Sequence, residues 1–251
     1  SGLKNWNQCP YYYKITYIDK IKKFAGNHYT AFGTALHEVC ENKINCSTFD
    51  DVEDMFEQAF LRELKSLPEG VINEIKLSDV NKMREQGKRL AKVAIPHLRQ
   101  HFGSFEVVST EEDIYESIEN FEDYNFKGFI DLVIKTPDGK HHIIDWKTCS
   151  WGWNAQRRSD PMTTYQLTYY KNFFHQKHGI PLSDIETHFA LLKRTAKSDV
   201  VEIFRVTSGN RKISNAMKLL NRALYNIQSG NFMKNKLSCK ICEFKNTAEC
   251  P

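Results

Sequence analysis

Two runs decide the fold: FKGFIDLVIK (Phe126–Lys135) and HHIIDWKT (His141–Thr148), joined by Thr136-Pro-Asp-Gly-Lys140. Both are rich in β-branched and aromatic residues, and Pro-Asp-Gly suits a three-residue hairpin loop with glycine in the left-handed position. If Thr136 pairs with Lys140, Asp131 falls directly across from Asp145 on one face, with Cβ atoms about 4.5–5.5 Å apart. Lys147 shares that face, because side chains alternate along a strand. An Asp-x-Lys on an exposed strand is an ordinary solvated pair. Here Phe129, Ile130, Leu132, Val133, Ile143, Ile144 and Trp146 are apolar on both faces, so the strands read as central and their charges as at least partly buried. Buried charges need a partner. A hard cation such as Mg²⁺, held by one or two carboxylates plus substrate phosphate, supplies one.

Working outward, the block from Thr30 to about Phe102 is helical in pattern, with Val52, Met55, Phe56, Phe60, Leu61 and Leu64 at three- and four-residue spacing. The texture changes at Gly103, and short β-rich runs fill Phe105 to Lys147. Ser159-Asp-Pro161 supplies an N-cap and an early-turn proline for a helix through about His175. Strands follow around Thr187–Leu192 and Val200–Val206, then a helix from about Ser208 to Ile227 and a basic, cysteine-rich tail. The expected organisation is one α/β domain over 1–251: a helical lobe (30–104), a sheet core with helices (105–229), and end segments 1–29 and 230–251.

At 251 residues, 41% hydrophobic and 26% charged, with 12 Gly and 7 Pro, the chain has the composition of a folded protein with a real core. Mean hydropathy of −0.55 and the lack of any uncharged apolar run near the ~18–20 residues of a membrane span exclude a transmembrane reading. The opening SGLKNWNQCPYYYK lacks the pattern of a secretory signal. Its lack of an initial Met leads us to expect a piece trimmed from a longer chain. A net charge of +4 permits a polyanionic partner without demanding one.

Seven cysteines in a chain without a signal imply a reducing, cytoplasmic setting and free thiols, not a disulfide framework. Cys239-Lys-Ile-Cys242 has the spacing that puts two thiolates on one metal, and Cys250 adds a third. Cys40, Cys46 and Cys149 read as small buried hydrophobes. Spacing does not separate Zn²⁺, as in a zinc ribbon, from an iron–sulfur cluster.

Aromatic and basic residues interleave in Trp151-Gly-Trp153-Asn-Ala-Gln-Arg157-Arg158 and again at Lys193-Arg194. Arg and Lys neutralise phosphates and aromatic faces stack unpaired bases, so these are candidate DNA contacts, against the plainer reading of a solvated loop with apolar anchors. Nothing resembles a base-reading helix, and recognition of a specific base sequence is not expected.

In order along the chain, Gly33-Thr-Ala-Leu-His37-Glu, Gly128-Phe-Ile-Asp131, Ile143-Ile-Asp145-Trp-Lys147-Thr and Gln166-Leu-Thr-Tyr-Tyr170 resemble the motifs of PD-(D/E)XK nucleases of the RecB-like type. Ser1-Gly-Leu3, Trp6 and Cys9-Pro10 resemble the opening of the iron–sulfur subgroup: CRISPR-associated RecB-like exonucleases, AddB-type nuclease domains and exonuclease V. Any one piece is weak; the five in order are specific. The resemblance implies a restriction-endonuclease-like mixed sheet flanked by helices. It makes His37, Asp131 and Asp145 ligands of Mg²⁺ or Mn²⁺, and Lys147 the catalytic lysine that orients a water or lowers its pKa. Gln166 and Tyr170 then lie near the catalytic site or the substrate backbone. Asp145 stands where the motif more often has Glu. The resemblance also selects Cys9 as the fourth ligand, with Cys239, Cys242 and Cys250, of a [4Fe–4S] cluster stapling the chain ends. The implied activity is a DNA exonuclease acting on single strands or free ends, with a helicase or recombination partner. The competing readings are a catalytically idle DNA-binding scaffold and a zinc-ribbon interaction module.

Overall fold

The central hairpin forms as its sequence dictates. Thr136 N donates to the Lys140 carbonyl at 3.0 Å, Gly139 N donates to Thr136 O at 2.9 Å, and Gly139 sits at φ 84°, which only glycine adopts without strain. Leu132 pairs with Ile144 and Ile134 with His142, the register in which Asp131 and Asp145 come opposite one another where the ladder ends.

In the computed structural model, which describes residues 2–21, 24–46 and 51–250, the order is α1 (Gly2–Gln8), α2 (Pro10–Tyr13), a π-helical turn (Lys14–Ile18), α3 (His28–Asn45), α4 (Val52–Lys65), α5 (Glu69–Asn73) and α6 (Leu77–Phe102). Then come β1 (Glu106–Ile118), β2 (Phe121–Lys135), β3 (His141–Cys149), α7 (Ala155–Ser159), α8 (Pro161–His178), β4 (Ile185–Lys193), β5 (Val201–Arg205), α9 (Asn210–Gln228) and a 3₁₀ turn (Lys236–Ile241). Ser1, part of the motif-like opening, lies outside the described residues.

The chain divides into two compact units, Gly26–Asn210 and Ser1–Ala25 with Arg211–Pro251. In the first, one mixed sheet runs β1-β2-β3-β4-β5, antiparallel throughout except for parallel β3 and β4. One face, with Leu132, Ile134, Ile144, Trp146, Ala190 and Leu192, is covered by α3, α4 and α6. Phe32, Phe56 and Phe60 form an aromatic knot there, ring centres 5.3–5.9 Å apart. Gly87 of α6 lets that helix approach: a Cβ on it would meet the Phe56 ring at 1.9 Å. The other face is covered by α8, whose Phe173 stacks on Phe126 at 4.2 Å.

The sequence reading expects short strands from Phe105 onward; the structure has instead a hairpin of 13 and 15 residues turning at Asn120, φ 67°. Its outer half alternates exposed polar with partly buried residues, so local hydrophobicity gives no strand signal, whereas cross-strand pairing continues the ladder. Within Ser159-Asp-Pro161 the cap of α8 is Asp160, which accepts from Met162 N and Thr163 N at 3.3 and 3.0 Å, followed by Pro161 in the first turn.

In the second unit the two ends of the chain bond to each other directly. Asn235 Nδ2 and Ser238 Oγ donate to Gln8 O at 2.8 and 2.7 Å, and the Tyr12 hydroxyl donates to Glu243 Oε1 at 2.9 Å. Phe244, fully buried, packs edge-on against Tyr12.

Candidate active site

Four elements of the first unit meet where β2 and β3 separate. The Asp131 side chain fills the gap: its Oδ2 accepts the Trp146 backbone N–H at 2.7 Å, taking the place of a lost ladder bond. Asp145, one residue back on β3, is buried to 1% exposure. Its Oδ1 accepts from Gln166 Nε2 at 2.8 Å, while Oδ2 faces the Lys147 ammonium, 2.5 Å away.

From the helical face, α3 starts at an Asn27 capping box and passes so close to β3 that a Cβ on Gly33 would stand 3.4 Å from Thr148 Oγ1. One turn later His37 Nδ1 lies 3.6 Å from Asp131 Oδ2. From the opposite face, Gln166 of α8 bonds both Asp145 and the Tyr170 hydroxyl, the latter at 3.1 Å. Gly128 makes room for Tyr170, because a Cβ there would sit 2.8 Å from its ring. The six residues His37, Asp131, Asp145, Lys147, Gln166 and Tyr170 are therefore one constellation drawn from α3, β2, β3 and α8.

Electrostatics follow from the burial. Desolvation pushes the Asp145 carboxyl up to about 6, against the pull of Lys147 and with the Asp131 charge adding to it. Burial works to lower His37, but the Asp131 bond and the Asp131 and Asp145 charges outweigh it and raise its pKa. Lys147 is likewise raised, the two carboxylates overcoming its desolvation. The two carboxylates thus hold an ammonium and an imidazole toward their charged forms, while burial holds Asp145 toward its neutral one.

A buried Asp145 carboxylate beside a second carboxylate and an imidazole is a donor set that fits a divalent cation. The ligand atoms of His37, Asp131 and Asp145 do not all lie within 4.8 Å of one another. That spread fits a Mg²⁺ ion held by one or two carboxylates and completed by water or phosphate.

Glu111 was missed by the sequence reading. It stands on β1 between the pairs Thr110–Leu132 and Glu112–Ile130, opposite Asp131, with φ 46°. Its carboxyl is raised by burial and by the charges of Asp131 and Glu41. A Glu-Glu pair in a polar strand looks solvated, and nothing in the sequence marks the turned backbone.

The six candidate DNA contacts separate. Trp151 is 73% exposed, and Arg157 is exposed and lies 4.4 Å above the Trp153 ring. Trp153 itself is buried against Phe189 and Phe204 and has no free face for a base. Arg158 pairs with Glu202 at 2.5 Å, and the largely buried Lys193 faces the same carboxylate at 3.5 Å. Arg194 donates to Ser150 Oγ and lies over Tyr29. These four brace the loop after β3, so the sequence alternation there reflects packing more than an open stacking platform.

Cys9, Cys239, Cys242 and Cys250 all line one pocket of the second unit. Asn235 N donates to Cys9 Sγ at 3.4 Å. No three of these sulfurs lie within 4.8 Å of one another. Cys40 is buried in α3, and Cys149 ends β3 with its thiol raised by burial.

Among the described residues, no helix is long and apolar enough to cross a membrane. No curated protein matches the chain. Among solved structures, a candidate exonuclease from Eubacterium rectale is similar in fold, with a TM-score of 0.61 at 12% identity over 97% of this chain and 84% of that one. The protein SSO0001, at a TM-score of 0.38 and 15% identity over 98% of this chain and 96% of that one, is too distant to bear on the fold. The family model of the PD-(D/E)XK nuclease superfamily matches residues 1–247, with Asp131, Asp145 and Lys147 inside the matched span, and this chain belongs to that superfamily.

Proposed function

We propose that the protein is a Mg²⁺- or Mn²⁺-dependent DNA exonuclease that prefers single strands or free ends. The observation that carries this reading is the convergence of Asp131, the buried Asp145, Lys147 and His37 at the split end of the β2–β3 ladder. A bound divalent ion supplies charge stabilisation at the phosphate and a water of lowered pKa. His37, Asp131 and Asp145 would hold it. Lys147, tied to Asp145, is poised to orient the attacking water and to neutralise charge that develops on the phosphoryl oxygens. Gln166 and Tyr170 fix the Asp145 carboxylate from the α8 side. Trp151 and Arg157 are the two loop groups with surface free for a DNA strand.

The cysteine pocket supports a [4Fe–4S] cluster better than one zinc ion. Four thiolates on zinc at about 2.3 Å would stand about 3.8 Å apart, while no three of these sulfurs come within 4.8 Å of one another, and a cluster holds its ligands farther apart. Its role is structural, in a unit that contains none of the catalytic carboxylates.

The test is digestion of end-labelled single- and double-stranded DNA with Mg²⁺, Mn²⁺ or chelator. Metal-dependent shortening from the ends supports the reading. No cleavage with either metal, together with DNA binding, favours an idle scaffold.

A further inference from the structure

On the helical face of the sheet, away from the nuclease residues, three ligand-type side chains meet at the start of β3 and β4. His142 Nδ1 and His188 Nε2 lie 3.1 Å apart, and Glu186 Oε2 is 3.9 Å from each. Among the described residues this is the one group of three His, Cys, Asp or Glu ligand atoms all within 4.8 Å of one another. We propose that His142, Glu186 and His188 form a second metal site, one that takes Zn²⁺.

The three distances define a point about 2.1 Å from all three atoms, within the range of zinc bonds to imidazole and carboxylate. Glu186 is oriented for it. Its Oε1 is held by Arg205 at 3.2 Å and Lys140 at 3.7 Å, and Oε2 is left toward the two rings, beyond hydrogen-bond reach. His142 is oriented too, its Nε2 lying 3.0 Å from Thr136 Oγ1, the outer contact that fixes a ligating imidazole.

Both rings are buried, at 7% and 4% exposure. Burial holds both imidazoles below their ordinary range, His188 down to about 3, so both are neutral at neutral pH with a lone pair to offer. A plain hydrogen-bonded histidine pair accounts for the 3.1 Å contact but gives Glu186 Oε2 no bond to either ring. Two imidazoles and one carboxylate select zinc-like ions over Mg²⁺, which prefers all-oxygen sites. The ion would tie β3 to β4, with its open position left to water. His142 and Asp145 are three residues apart along β3 on opposite faces, about 10 Å, so this site is separate from the nuclease centre and does not depend on its assignment.

The test uses the full chain, stripped with chelator and titrated with Zn²⁺ and with Co²⁺. One site should show the weak visible bands of cobalt held by nitrogen and oxygen, without thiolate charge-transfer absorption, and it should persist in Asp131→Asn and Cys242→Ser. His188→Gln and Glu186→Gln should each lower zinc stoichiometry by one, and Thr136→Val should weaken that site about 10–100-fold. If His188→Gln fails to fold, the Glu186 and Thr136 variants decide. Unchanged zinc binding in those two, or cobalt spectra from thiolate sites alone, overturns the proposal.

Discussion

Asp131 holds the split strand end as well as facing His37, so substitutions there do not all mean the same thing. Asp131→Ala strips the Trp146 N–H of its acceptor, at a cost of about 1–3 kcal/mol, and confuses lost chemistry with lost structure. Asp131→Asn keeps an acceptor oxygen and removes the charge. We expect it to melt close to the wild type and to digest DNA at least about 100-fold more slowly; digestion at the wild-type rate would remove Asp131 from the site. Lys147→Gln should slow cleavage by a similar factor yet keep Mn²⁺ affinity, because an ammonium is not a ligand, and calorimetric titration reads that directly. Gly128→Ala should cost about 1–3 kcal/mol by driving a methyl into Tyr170, and should slow cleavage because Tyr170 and Gln166 share the hold on Asp145. Wild-type melting and rate in that variant would show that the ring is free to move away. Asp131, Asp145 and Lys147 were legible in the sequence because strand alternation and one turn type fix their face. Glu111 was not, since its place depends on a left-handed backbone in a residue that carries no marker for it.

Helix α8 carries Gln166 and Tyr170, and its position is set at both ends. Asp160 caps the start, Gly179 at φ 68° closes the end, and the last turn is pinned to β1 by Glu112. That carboxylate receives Lys177 Nζ at 2.7 Å and lies 2.9 Å from His178 Nε2. Burial acts to raise Glu112, but the bonds from Lys177, His178 and Ser109 outweigh it and hold the carboxyl below its ordinary value. A depressed folded-state pKa contributes stability that is present above the unfolded value near 4.3 and is lost as pH falls through the folded one. Urea unfolding should therefore find Glu112→Gln less stable than the wild type at about pH 6, with the gap closing toward about pH 3. A gap that stays constant with pH would mean that the charge is not what pins the helix. The helix itself was legible from Asp160-Pro161 and its apolar spacing. Its anchor was not, because Glu112 lies on the outer part of β1, where alternating polar residues disguise a long strand, and only the completed β1–β2 ladder brings it under Lys177.

At the scale of the whole chain, the sequence expected one domain with its ends stapled, and the contacts divide into a sheet unit over Gly26–Asn210 and a second unit built from both ends. The sheet unit was readable because its helices and inner strands carry periodic apolar faces. In the second unit α9 carries such a face, with Ala216, Leu219, Leu220, Ala223 and Leu224 buried, but the tail does not: after Asn231 its described residues expose Met233 at 68% and Leu237 at 88%, and Phe244 is the fully buried anchor. Hydrogen bonds from Asn235 and Ser238 to Gln8 and from Tyr12 to Glu243 add only modestly each, about 0.5–1.5 kcal/mol net. A metal cluster ligated from both ends can stabilise a tail with so few buried apolar residues. Cys9 faces Asn235 N from one end of the chain, and Cys239, Cys242 and Cys250 line the same pocket from the other. If these four hold one cluster, Cys9→Ser should destabilise the protein about as much as Cys242→Ser does, although one sits near each terminus, and Cys46→Ser should be mild. Anaerobically purified protein should be brown, with about four irons per chain, and both damaging variants should lose colour together. Colourless protein with one zinc in these thiols would replace the cluster but keep the staple. A Cys9→Ser protein that melts with the wild type would remove Cys9 from the ligand set and leave the chain ends joined by the Phe244 packing and the hydrogen bonds between them.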